Sequence, residues 1–187
     1  METDQESPLK TFHIEQYRSD DSLVVWLVDR RQKTPRSFRL LEPKGVEWQA
    51  YAPSISLSPD ECWILVETKL CHGQNAANLY RRGEGLRYAE IAPSSFSDQA
   101  WDFFRKQGSL QKNFADEYHF IIRCGNWMPN SHSLLVSLSG NDGNIRVDDW
   151  KCYYDLQKRQ FSSVTLSFPD QRHKMNLIFQ FSFTFMI

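Results

Sequence analysis

Short apolar runs separated by polar turns recur along this chain, with the length and alternation of β-strands. Leu23-Val24-Val25-Trp26-Leu27-Val28 is apolar and β-branched up to Asp29, residues 30–35 turn the chain, and 37–41 return it. Ser54-Ile55-Ser56-Leu57-Ser58 alternates strictly, Pro59-Asp60 makes the next turn, and Cys62-Trp63-Ile64-Leu65-Val66 reads as a buried strand. Another hairpin joins 78–81 to 87–91 around Arg82-Gly83-Glu84-Gly85. Strands resume at 119–124 and 134–138 on either side of Pro129-Asn130, and a last hairpin pairs 150–156 with 161–166. One helix is expected near 97–107. Ser97 is its N-cap, Ala100, Trp101, Phe103 and Phe104 form its apolar face, and Gly108 stops it.

The pattern divides the chain into a polar arm over 1–20, a β domain over 21–170 and a strand extension over 171–187, where Phe179, Phe181, Phe183 and Phe185 alternate with other residues. Within the arm, Phe12, Ile14 and Tyr17 alternate loosely enough to dock as an edge strand. The expected core comprises Trp26, Ile64, Val66, Leu79, Ile121, Leu135, Val136 and Tyr153, with Arg82, Glu84, Lys158 and Arg159 exposed in turns.

An internal repeat organises these strands. The turns at Ser58-Pro59-Asp60 and Met128-Pro129-Asn130 are 70 residues apart, and each precedes a strongly apolar strand. Leu79-Tyr80-Arg81 and Tyr153-Tyr154-Asp155 are 74 apart, and Tyr88 and Phe161 are 73 apart. The early hairpin matches the second half of the same unit. The fold class is therefore all-β, with two to two-and-a-half antiparallel four-stranded meanders and one short helix. Leu57-Ser58-Pro59-Asp60 with Trp63-Ile64-Leu65-Val66, and Asn126-Trp127-Met128-Pro129-Asn130 with Leu134-Leu135-Val136, resemble blades of the Tol-type and tryptophan-aspartate repeat β-propellers. Propellers close with about 4–8 blades. Closure would have to come from elsewhere, and the units are expected instead to pack face to face in a sandwich-like or open structure.

Composition changes the picture in two places. Aromatic residues make up 14% of the 187 residues, which favours sheet over helix. The 22 Lys plus Arg against 23 Asp plus Glu give no coherent basic stripe, so a nucleic-acid partner is not expected. Cys62, Cys71, Cys124 and Cys152 lack the paired spacing of zinc ligands and read as buried or half-buried thiols in strands, so no metal or other cofactor is expected. An exported chain could form one disulfide. The first ten residues have no apolar core, which by default places the chain in the cytoplasm, and outside it if a leader was removed. No run has the roughly 20 apolar residues of a membrane-spanning helix.

In such a meander, alternate connections share an end of the sheet. The connections over 70–76, 92–117 and 139–149 are expected to be long and to form the binding face. They carry His72, Asn75, Trp101, Arg105, Lys106, Asp142, Arg146, Asp148 and Asp149. No nucleophile elbow, zinc-protease motif or phosphate loop is present. Mixed charge with an aromatic anchor in Trp101 points to a protein or peptide partner and a non-catalytic module. The alternative is a hydrolase in which Asp142, Asp148 and Asp149 converge near His72. Open sheet edges offer a route to a homo-oligomer.

Overall fold

The computed structural model describes residues 3–18, 23–31, 36–41, 52–71, 73–91, 94–108, 114 and 119–164. They form twelve strands and one helix in three consecutive antiparallel meanders. Unit 1 comprises β1 (Thr3–Glu6), β2 (His13–Arg18), β3 (Leu23–Asp29) and β4 (Arg36–Leu41). Unit 2 comprises β5 (Ser54–Leu57), β6 (Trp63–Cys71), β7 (Gln74–Arg82) and β8 (Tyr88–Glu90). Helix α1 (Phe96–Arg105) leads to unit 3, with β9 (His119–Trp127), β10 (Ser133–Asn141), β11 (Arg146–Asp155) and β12 (Gln160–Ser163). Units 2 and 3 are joined into one sheet by a single parallel bridge, Gln74 to Phe120.

The all-β class, the blade-like meanders and the single short helix stand, and the units do pack face to face. The half unit expected at the N-terminus is a full one, because β1 and β2 occupy the stretch expected as a polar arm. Its strands are half polar because only one face is covered: Ile14 is fully buried against unit 2, while His13 and Tyr17 look outward. The expected C-terminal strand lies outside the described residues.

Unit 2 is covered on both faces, and this explains its unbroken apolar run. Trp63 and Leu65 enter a cluster with Ile122, Leu134 and Val136 of unit 3 and with the buried face of α1. Their neighbours Ile64 and Val66 enter a second cluster with Phe12, Ile14, Val25 and Leu27 of unit 1. Burial of each such side chain contributes roughly 1.5–3 kcal/mol. The core expectation holds for Ile64, Val66, Leu79 and Val136. It fails by one position at Trp26, Ile121, Leu135 and Tyr153, which are half-buried, while Leu27, Ile122, Leu134 and Tyr154 fill the clusters. Adjacent strand residues face opposite ways, and in units 1 and 3 the apolar runs extend onto a face that no described element covers.

The first two strands of every unit are joined by the same turn. Lys10 N–H donates to Ser7 O at 2.9 Å, Glu61 N–H to Ser58 O at 2.9 Å, and Ser131 N–H to Met128 O at 2.8 Å. Each turn is closed from outside by Ser7 N–H to Phe12 O, Ser58 N–H to Trp63 O and Met128 N–H to Ser133 O. Proline follows the first residue each time, at Pro8, Pro59 and Pro129. The fourth residue is left-handed, with φ of 58° at Lys10, 56° at Glu61 and 54° at Ser131, a conformation that costs a non-glycine residue roughly 1–2 kcal/mol.

That residue's side chain fastens its unit to the preceding one. Glu61 Oε1 accepts the Leu9 N–H at 2.7 Å, and Glu61 Oε2 accepts the Thr11 hydroxyl. One unit later, Ser131 Oγ accepts the Asp60 N–H at 3.2 Å. Glu61 is fully buried and takes an ion pair from Arg82 Nη1 at 3.3 Å. Arg82 is therefore not the exposed turn residue expected; its guanidinium also lies over the Phe12 and Tyr88 rings.

Burial raises the Glu61 pKa, but hydrogen bonds from Ser7, Thr11 and the Leu9 N–H outweigh it and hold the carboxyl below its ordinary value of 4.5. A depressed folded-state pKa contributes stability that is complete above that ordinary value and is lost as pH falls through the depressed one. Glu61→Gln should lower unfolding free energy at neutral pH by about 1–3 kcal/mol and flatten the acid limb of stability below pH 4.5. Denaturant titrations across that range check both effects; an unchanged acid limb would remove Glu61 from the joint.

Candidate cleft between the helix and the central hairpin

The N-cap of helix α1 lies two residues earlier than its sequence suggests. Ser95 is the N-cap, accepting the Asp98 N–H at 3.1 Å, while Ser97 is buried and turned to the sheet. Its Oγ accepts the Ala77 N–H at 2.6 Å and donates to Ala77 O at 3.3 Å. Two residues along β7, Asn75 completes the same edge. Its Nδ2 donates to Ile122 O at 2.6 Å, and its Oδ1 accepts the Ile122 N–H at 2.7 Å. Between β8 and the single bridge to β9, side-chain amide and hydroxyl groups thus satisfy the backbone that a strand would otherwise pair.

Above this edge lies a cleft of about 540 Å³ lined by Leu70, Gln74, Asn75, Ala76, Ser95, Ser97, Asp98, Trp101, Asp102, Arg105 and Phe120. Of the residues expected at the site, Asn75, Trp101 and Arg105 meet here. Trp101 is not an exposed anchor: it is 4% exposed, stacked on Phe114 at 5.4 Å and set edge-on to Phe120 at 4.6 Å. The exposed apolar group at the cleft is Leu70. Arg105 Nη1 pairs with Asp102 Oδ1 at 3.0 Å. Asp98 and Asp102 stand one helical turn apart on the exposed side of α1.

A second cleft, about 400 Å³, shares Gln74 and Asn75 as a wall and opens on Glu67, Thr68, Lys69, Ile121 and Arg123. Burial raises the pKa of Glu67, against the opposing effects of the Cys124 N–H it accepts at 3.0 Å and of Arg123. Sequence reasoning missed Glu67, Arg123, Gln74, Asp98 and Asp102. The polar stripe of α1 was a usable signal for the last two, and a lone carboxylate closing the run Trp63-Ile64-Leu65-Val66 was one for Glu67.

Of the remaining expected residues, Lys106, Asp142, Arg146, Asp148 and Asp149 do not line these clefts. His72 lies outside the described residues, and Lys106 is exposed at the helix C-cap. The stretches 70–76 and 139–149 are mostly strand rather than long loop. The β6–β7 hairpin runs out into solvent at Lys69, Leu70 and Cys71, whereas the β10–β11 hairpin stays against the core through Ile145 and Val147. At the tip of the second hairpin, Asp142 is buried and accepts the N–H groups of Asn144 and Ile145 at 2.8 and 2.6 Å. Arg146 Nε pairs with Asp148 at 2.8 Å, and Lys151 pairs with Asp149 at 2.8 Å, both in the open. The three carboxylates thus answer to different groups, and among the described residues no cluster of His, Cys, Asp and Glu fits a metal ion.

Cys124 and Cys152 lie within strands as expected of buried or half-buried thiols, whereas Cys62 and Cys71 are exposed. Burial pushes the Cys152 thiol up to about 12. Among the described residues no helix is long and apolar enough to cross a membrane.

No family model matches the chain. No curated protein matches it. Among solved structures it is similar to a crystal structure of TolB from Acinetobacter baumannii, at 12% identity and a TM-score of 0.43. That match covers 88% of this chain and 32% of the other, so the chain spans about a third of the length of the structure it matches.

Asn75 sets the spacing of the two clefts by tying β7 to β9. Asn75→Ala leaves both backbone groups of Ile122 without those partners, a loss of about 1–3 kcal/mol. Amide exchange should speed up at Ile122 well before it does at Leu65; equal protection of Ile122 in the variant would contradict the role given to Asn75.

Proposed function

We propose that the chain is a non-catalytic binding module that takes a peptide or protein segment in the cleft between α1 and the β6–β7 hairpin. The observation that carries this reading is the make-up of that cleft: exposed Leu70 and the edges of Trp101 and Phe120 beside a polar rim of Gln74, Asp98, Asp102 and Arg105. An apolar floor with a few oriented polar groups suits a segment with one apolar side chain and polar neighbours. Two carboxylates against one guanidinium favour a basic side chain at the α1 rim. Both serines of the cleft are already committed to backbone groups, Ser95 to the helix start and Ser97 to Ala77, which argues against either as a nucleophile.

The hydrolase alternative has less support, because Asp142 serves its own turn while Asp148 and Asp149 are held by adjacent cations. A phage-displayed peptide library selected on the protein should yield peptides pairing a basic with an apolar residue. Asp98→Lys and Leu70→Glu should each weaken the selected peptides about tenfold or more, a loss of roughly 1.4 kcal/mol. Glu84→Lys and Lys158→Glu, exposed in turns outside the cleft, should leave them unchanged. Selected peptides that bind the Asp98 and Leu70 variants as well as the parent would contradict the proposal.

A further inference from the structure

The two clefts beside the β6–β7 hairpin are neighbours with opposite charge excess. Lys69, Leu70 and Cys71 are consecutive at the end of β6, yet Leu70 lines the first cleft while Lys69 and Cys71 line the second. Gln74 and Asn75, at the start of β7, belong to both. On the α1 side, Asp98 and Asp102 face one cation, Arg105, which already pairs with Asp102 at 3.0 Å. Asp98 stands exposed at that rim. On the β9 side the balance is reversed, with Lys69 and Arg123 against the half-buried Glu67.

Arg123 is exposed, and both of its acidic neighbours are engaged elsewhere. Glu67 accepts the Cys124 N–H at 3.0 Å, and Asp149 is held by Lys151 at 2.8 Å and by the Ser137 hydroxyl. The backbone on either side of Arg123 is also tied to unit 2. Asn75 Oδ1 accepts the Ile122 N–H at 2.7 Å, one residue before it, and Glu67 takes Cys124, one residue after. The guanidinium is thus presented from a strand fixed on both flanks.

We propose that the second cleft is a second subsite for the same peptide, so that one segment crosses the Gln74–Asn75 wall. It sets a basic residue at Asp98, an apolar residue on Leu70 and an acidic residue at Arg123. This rests on the reading of the α1 cleft as a peptide site and adds to it an order of charges. A segment basic at both ends meets repulsion at Arg123 and is rejected. A single exposed ion pair contributes little, so reversing a charge reads the contact better than removing one.

The peptides selected on the parent protein, made synthetically and titrated by fluorescence anisotropy, test this. They should carry a basic, an apolar and an acidic residue in that order along the segment. Arg123→Glu should weaken them about tenfold, and Lys158→Glu, outside both clefts, should not. Replacing the acidic residue of the peptide by lysine should cost about as much on the parent, and the two changes together should restore most of the affinity. If Arg123→Glu fails to fold, the peptide exchange on the parent decides. Peptides that lose affinity on Asp98→Lys but not on Arg123→Glu, nor on exchange of their acidic residue, overturn this inference and leave the α1 cleft as the site. An acidic residue that matters equally on the parent and on Arg123→Glu overturns it as well. Peptides indifferent to Asp98→Lys, Leu70→Glu and Arg123→Glu alike overturn the α1 reading, and this inference with it.

Discussion

Strand β6 gives Trp63 and Leu65 to one neighbouring unit and Ile64 and Val66 to the other, so it has no face left for water. The rest of the architecture follows from that double burial. A strand covered on both sides needs a sheet on each side, and the units before and after it in sequence supply them. The turns that introduce β6 and β10 are then held against the turns before them, and their left-handed fourth residues, Glu61 and Ser131, point side chains across the joints. Glu61 is the extreme case: a carboxylate wholly removed from water, tolerable because a backbone N–H, a hydroxyl and a guanidinium converge on it.

The candidate cleft is a consequence of how units 2 and 3 share an edge. A full ladder between β7 and β9 would leave no space there. Instead there is one bridge, and the gap is bridged by Asn75 toward Ile122 and capped by Ser97 over Ala77. Helix α1 sits over that gap with its aromatic side chains inward, which leaves its carboxylates and Arg105 at the rim. The polar groups of the cleft rim are thus held on regular elements rather than on loops, a favourable basis for precise placement.

The sequence made the strands of units 2 and 3 legible because Pro59-Asp60 and Pro129-Asn130 punctuate them and apolar runs follow. It concealed β1 because Ser7-Pro8-Leu9-Lys10 is the same turn without the acidic or amide residue, set in a polar stretch. Which of two adjacent apolar residues points inward was also hidden: Leu134 and Leu135 are identical in type, and only the register to Trp127 and Tyr154 separates them. The site was half visible. Asn75, Trp101 and Arg105 were placed together by topology, but Trp101 proved to be core because Phe104, Phe114 and Phe120 surround it. Asp142, Asp148 and Asp149 fell away because local turn and ion-pair chemistry accounts for each of them.

Native-state hydrogen exchange along β6 bears most directly on the central claim. With both faces buried, the amides of Ile64, Leu65 and Val66 should exchange only through global unfolding, with protection matching the full unfolding free energy measured by denaturant. Those of β1, at the edge of unit 1, should open locally and exchange far faster. Exchange at Ile64, Leu65 and Val66 as fast as in β1 would mean that unit 2 is not held between its neighbours.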